Sequence, residues 1–230
     1  MLDVLVQEMV QVERLVREAD LAVPVSSCPG WTVCDLVAHL GAVHRWTAAA
    51  TRTLPGGVVP DLAGPSGLDG AALADWYAAS AAELVEALSI DLDRTCWTLT
   101  WPRTARFWRR RQLHETAVHR WDLEEALGRP HQVDAEVALD GIDEVLTVML
   151  PRQVRHRRVE QSSRWVRLWV DGQDWALASS AVRDPQPVAT VAADAATVLL
   201  LLWGRLSLDS ASVYGDRDAV EDLLSGALTP

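Results

Sequence analysis

The chain of 230 residues contains no lysine and no asparagine, and its 21 basic residues are all arginine. That bias matches a GC-rich coding sequence, and it excludes chemistry that needs a Schiff-base lysine. Positive charge is scarce overall. The formal net charge is −11, which argues against nucleic acid as a partner, because phosphate binding needs a basic surface. Only three cysteines occur, Cys28, Cys34 and Cys96, an odd and sparse set without a C-x-x-C pair. A disulfide framework is therefore not expected, whereas a reducing cytoplasm is. The apolar run Leu199 to Trp203 is far too short to span a bilayer. The opening Met-Leu-Asp-Val-Leu-Val-Gln-Glu carries acid where a secretory signal would carry basic charge, so a cytoplasmic protein without membrane attachment is expected. Internal repeats and low-complexity segments are also missing. The remainder is 49% hydrophobic and 23% charged, an ordinary globular composition with enough mass for one large or two small domains.

Hydrophobic periodicity predicts a helix over residues 3–19 through Leu5, Met9, Val12, Leu15 and Val16. A loop broken by Pro24 and Pro29 follows. Thr32-Val-Cys-Asp35 then has the form of a capping box, which starts a second helix at about residue 33. Its apolar stripe is Leu36, His39, Leu40, Val43 and Trp46, with a histidine as the anomaly. A Gly- and Pro-rich connection over 52–69 leads to a third helix, Ala71 to Leu88. No Pro or Gly interrupts 104–127, a fourth helix that Gly128-Arg-Pro130 ends. Residues 134–150 read as helix through Leu139, Ile142, Val145, Leu146 and Met149.

After Pro151 the pattern alternates. Trp165 to Val170, the turn Asp171-Gly-Gln-Asp174 and Trp175-Ala-Leu-Ala predict a β-hairpin. Strands at 188–192 and 212–214 alternate with helices at 195–205 and 216–224. The expected fold class is α+β: a helical bundle over 1–150 and a small α/β domain over 151–230.

The fourth helix carries the chemistry. Arg111, Glu115 and His119 recur every four residues along one face, with Asp122 close behind. A carboxylate and an imidazole one turn apart are two suitable metal ligands. His114 and His119 are five apart, about 140° around the helix, so the H-E-x-x-H arrangement does not apply. The third ligand must come from elsewhere, and His39 is the strongest candidate, since a bundle core is a natural place for a metal held by facing helices. Against this stand two ordinary explanations, a core histidine satisfied by a neighbour and a solvated i,i+4 pair. Three protein ligands would leave an open position, as in catalytic zinc sites. Arg111 is placed either to pair with Glu115 or to reach an acidic substrate. His114 is expected to cap or hydrogen-bond in the core, whereas His44, His131 and His156 are expected at the surface. Arg152 to Arg158 reads as a solvated basic cluster or an ion-pair network. Cys34 is expected in the core and Cys28 in a loop, neither as a nucleophile. Trp31, Trp46 and Trp121 are the tryptophans close enough in sequence to line a pocket.

Two segments, Cys28-Pro-Gly-Trp-Thr-Val-Cys-Asp-Leu-Val-Ala-His39 and Arg110-Arg-Gln-Leu-His-Glu-Thr-Ala-Val-His-Arg-Trp-Asp122, resemble the signatures of the mycothiol-dependent maleylpyruvate isomerase family. That family belongs to the DinB-like metal-binding four-helix bundles of actinobacteria. Ala192 to Arg205 and Val213-Tyr-Gly-Asp216 resemble its second domain, so the likeness spans nearly the whole chain. The resemblance implies a divalent metal, usually zinc, on His39, Glu115 and His119, and mycothiol as cosubstrate. A thiol entering the open metal position would lose its proton. It could then add to an activated alkene, allow rotation and leave, giving cis–trans isomerisation, or transfer to another small electrophile. Arg205 of the W-G-R segment is the partner that the resemblance suggests for a substrate carboxylate. Two rival readings are metal-assisted hydrolysis without thiol and a non-catalytic metal- or small-molecule-binding protein.

Overall fold

A computed structural model describes residues 1–65, 67–129 and 132–229. The chain divides into two compact units, Met1–Gln132 and Val133–Pro230.

The first unit is a four-helix bundle of α1 (Leu2–Glu18), α2 (Val33–Arg52), α3 (Gly70–Leu88) and α4 (Ala105–Ala126). Helix α1 buries the expected stripe of Leu5, Met9, Val12, Leu15 and Val16 against α3 and α4. The capping box that starts α2 is complete. Thr32 Oγ1 accepts from the Asp35 amide, and the Asp35 carboxylate accepts from the Thr32 amide at 2.8 Å.

Helices α2 and α3 approach closely because Gly41 presents no side chain: a Cβ there would overlap the ring of Trp76. The Arg45 guanidinium also lies over that ring, 5.2 Å from its centre. Helix α4 is tied to α1 through a buried ionic cluster in which Arg120 donates to Glu8, Glu124 and the Gln132 carbonyl. Trp46 packs edge-on against Trp97 and Trp108 at 5.4 and 5.5 Å, in an aromatic cluster that was not anticipated for it.

The second unit begins earlier than expected. The helix that the sequence assigned to the bundle, α5 (Ala135–Glu144), packs instead on α7 (Ala195–Leu202). Periodicity identifies a buried face but not the partner that covers it. Nor does Pro151 end the helical segment. A π-helical turn, Val145–Met149, runs into α6 (Leu150–Arg155), and Pro151 sits in the first turn of α6, where its fixed φ suits the helix.

Strands β1 (Trp165–Val170) and β2 (Gln173–Ala178) form the expected antiparallel hairpin across the two-residue turn Asp171-Gly172. Strand β3 (Ala189–Ala193) runs parallel to β1, and β4 (Ser212–Gly215) antiparallel to β3, giving the order β2-β1-β3-β4. Helix α7 packs on β1 and β3, and α8 (Arg217–Leu224) on β3. Among the described residues no helix is long and apolar enough to cross a membrane. The stop signal at Pro130 and the surface assignment of His131 lie outside the described residues.

The Gly41–Trp76 contact yields a stability prediction. Gly→Ala inside a helix ordinarily stabilises by about 1 kcal/mol, whereas overpacking costs about 1–3 kcal/mol. Gly41→Ala should therefore destabilise the chain by about 1 kcal/mol, read as a lower denaturant midpoint with an unchanged m-value.

Candidate metal centre

The site is assembled from α4, from α2 and from the segment that leads into α2. In that segment Val25 N–H donates to the Trp31 carbonyl at 2.9 Å and Val33 N–H to Val23 at 2.9 Å. Between them Cys28-Pro29-Gly30-Trp31 closes a turn, with the Trp31 N–H 3.0 Å from the Cys28 carbonyl. Proline at the second position and Gly30 at φ +86° at the third are what a type II turn requires. The turn lays Trp31 beside His39, with ring centres 4.8 Å apart, and partly over His119 at 6.4 Å.

His39, Glu115 and His119 converge. Glu115 Oε1 lies 3.6 Å from His39 Nε2 and 3.3 Å from His119 Nε2. Tetrahedral zinc with bonds of 2.0–2.2 Å sets neighbouring donors about 3.4 Å apart. The donor chemistry and both measured separations therefore fit one divalent cation. The three ligand atoms lie within 4.8 Å of one another, and the site remains reachable at His39, whose side chain is 29% exposed.

The two carboxylate oxygens of Glu115 have different partners. Oε1 faces the imidazoles, while Oε2 accepts from Arg111, which is 3% exposed. Burial alone would push the Glu115 carboxyl upward, but the Arg111 guanidinium and the two histidines outweigh it and hold the group well below the usual carboxylate range. Burial likewise opposes a charge on His119. Hydrogen bonds to Asp122, Cys28 and Glu115 outweigh that effect and raise it well above the ordinary histidine value. Its Nδ1 lies 2.9 Å from Asp122 Oδ2, and Asp122 is wholly buried.

Other expected residues fall elsewhere. Arg205 belongs to the second unit, is half-buried, and donates to the Trp203 carbonyl at 2.9 Å. Trp121 is buried on α4, and His156 is exposed as anticipated. His114 is buried in the bundle. His44, expected at the surface, is completely buried, with Nε2 3.2 Å from Thr116 Oγ1 and its ring beside Tyr77. The small residues around it on α2 hid this burial from the sequence pattern. Cys28 reads in the sequence as a loop residue. Its proximity to Asp122 depends on the turn geometry, and the Pro-Gly-Trp that follows it was the available signal.

Residues 5–124 match the mycothiol maleylpyruvate isomerase N-terminal domain, and residues 136–222 match the MDMPI C-terminal domain. The chain belongs to the mycothiol maleylpyruvate isomerase family. Its fold is similar to the crystal structure of the mycothiol-dependent maleylpyruvate isomerase at a TM-score of 0.69 and 14% identity, covering 92% of this chain and 90% of that one. A histidine-to-alanine mutant of that isomerase matches at the same TM-score with 13% identity and the same coverage. No curated protein matches the chain.

His44 sets a pH dependence. Burial pushes its pKa from 6.5 down to about 3. The folded state keeps this imidazole neutral where the unfolded chain protonates it, so the group's contribution is intact above pH 6.5 and is lost as pH falls towards 3. Across that window the wild type should lose about 1.4 kcal/mol per pH unit more than His44→Gln. Urea unfolding at stepped pH measures the difference in slope.

Proposed function

We propose that the chain is a metal-dependent enzyme that uses a low-molecular-weight thiol, mycothiol, to isomerise a small electrophile of the maleylpyruvate type. The observation that carries this reading is the convergence of His39, Glu115 and His119 from two helices at zinc-like separations, in a chain of this family. Zinc is the metal we assign. When bound, such a cation would acidify a thiol at its open position.

The protein's own side chains hold the rest in place. Arg111 neutralises and orients Glu115 from below, so that Oε1 stays turned to the histidines. Trp31 covers one side of the two imidazoles and limits water there. The nucleophile would be the cosubstrate's sulfur, so no protein nucleophile is needed: the cosubstrate would supply reversible addition to a conjugated alkene, with the displaced electron pair held on the conjugated carbonyl while the former double bond is free to rotate. S-transfer to another electrophile shares the first of these steps.

The test is turnover of maleylpyruvate by the zinc-loaded protein, with and without mycothiol. Isomerisation that needs the thiol, and that falls at least about a hundredfold in Glu115→Gln, is expected. Turnover that is indifferent to thiol would point to metal-assisted addition of water instead. No turnover at all, with zinc bound, would leave a binding protein.

A further inference from the structure

The turn that precedes α2 also reaches the far side of His119. The Cys28 thiol donates to Asp122 Oδ2 at 3.6 Å, and the same oxygen lies 2.9 Å from His119 Nδ1. His119 Nε2, across the ring, faces Glu115 Oε1. One short path of contacts therefore runs from the loop, through a wholly buried carboxylate, to the imidazole of the proposed metal centre. Trp31, three residues after Cys28, rests against the same imidazole.

We propose that Asp122 and Cys28 are positioning residues for the metal: Asp122 holds His119 by Nδ1–H so that Nε2 is turned to the ion, and the Cys28 thiol holds Asp122. This rests on the metal reading above. A histidine ligand whose other nitrogen is bound to a carboxylate has its tautomer and ring orientation fixed before the ion arrives. The thiol engages the same oxygen from the loop side, so the Cys-Pro-Gly-Trp turn braces the ligand twice, through Asp122 and through Trp31.

The same three groups, Cys28, His119 and Asp122, are close enough together to suggest a second ion instead. The distances favour the hydrogen bond. Ligands on one tetrahedral zinc stand about 3.4 Å apart, whereas Nδ1 and Oδ2 are separated by 2.9 Å, the length of an N–H···O bond with a proton between them.

Zinc affinity, by competition with a chromophoric chelator, and zinc stoichiometry test the proposal on wild type, Asp122→Asn, Cys28→Ala and Cys28→Ser. The wild type should bind one zinc. Asp122→Asn should bind it about 10–100-fold more weakly, Cys28→Ala about two- to tenfold more weakly, and Cys28→Ser, which keeps a donor, near the wild-type value. Cobalt absorption bands should shift in Asp122→Asn, a signature that a merely structural role would not move. Unchanged zinc affinity in Asp122→Asn, with wild-type binding intact, overturns the positioning role alone. A second zinc that disappears in Cys28→Ala also overturns it. A wild type that takes up no zinc overturns the metal reading and this inference together.

Discussion

The Glu115 carboxylate is the constraint around which the bundle core is arranged. It is 13% exposed, and a buried charge in this position is unfavourable unless it is paired and hydrogen-bonded. The chain answers with Arg111 on one oxygen and two imidazoles on the other. Counting Asp122 as well, the cluster holds one arginine and two carboxylates, a net charge of −1 while the histidines are neutral. In the metal-free protein a proton on His119 restores balance, which is why its pKa stands high despite burial. A divalent cation on the same Nε2 would replace that proton and leave the cluster positive, a favourable setting for an anionic thiol. Electrostatics and donor geometry thus lead to the same assignment.

Rigidity at this centre comes from its surroundings. Helix α4 supplies Arg111, Glu115, His119 and Asp122 from successive turns of one uninterrupted helix. Arg120, on a neighbouring face, anchors that helix to α1 through buried partners rather than through exposed ones, whose contribution would be small. His39 is carried by α2, whose first turn is pinned by the Thr32–Asp35 box and by the turn before it. Loop, cap and helix act together on one imidazole pair.

Much of this was legible in the sequence where one-dimensional spacing carries the information. The i,i+4 relation of Arg111, Glu115 and His119 follows from helix geometry alone, and the anomaly of His39 in an apolar stripe pointed to the third member of the cluster. The capping box and hairpin appeared close to where local rules put them. What escaped depends on tertiary partners. His44 looked like a surface residue because its neighbours are small, yet α3 and α4 enclose it. Trp46 was placed near the ligands but joins Trp97 and Trp108. Helix α5 has an apolar face that would suit either unit, and its packing on α7 cannot be read from its own residues. Cys28 meets Asp122 across 94 positions of sequence, a separation that only the folded turn brings to 3.6 Å.

The most direct test of the central assignment is anomalous diffraction at the zinc edge from crystals grown with zinc. A single strong peak about 2.0–2.2 Å from His39 Nε2, Glu115 Oε1 and His119 Nε2 is the predicted result. A folded chain with no peak among these three residues, or with zinc bound elsewhere, would contradict it. The cluster would then be a buried ionic network, held together by Arg111 and a protonated His119.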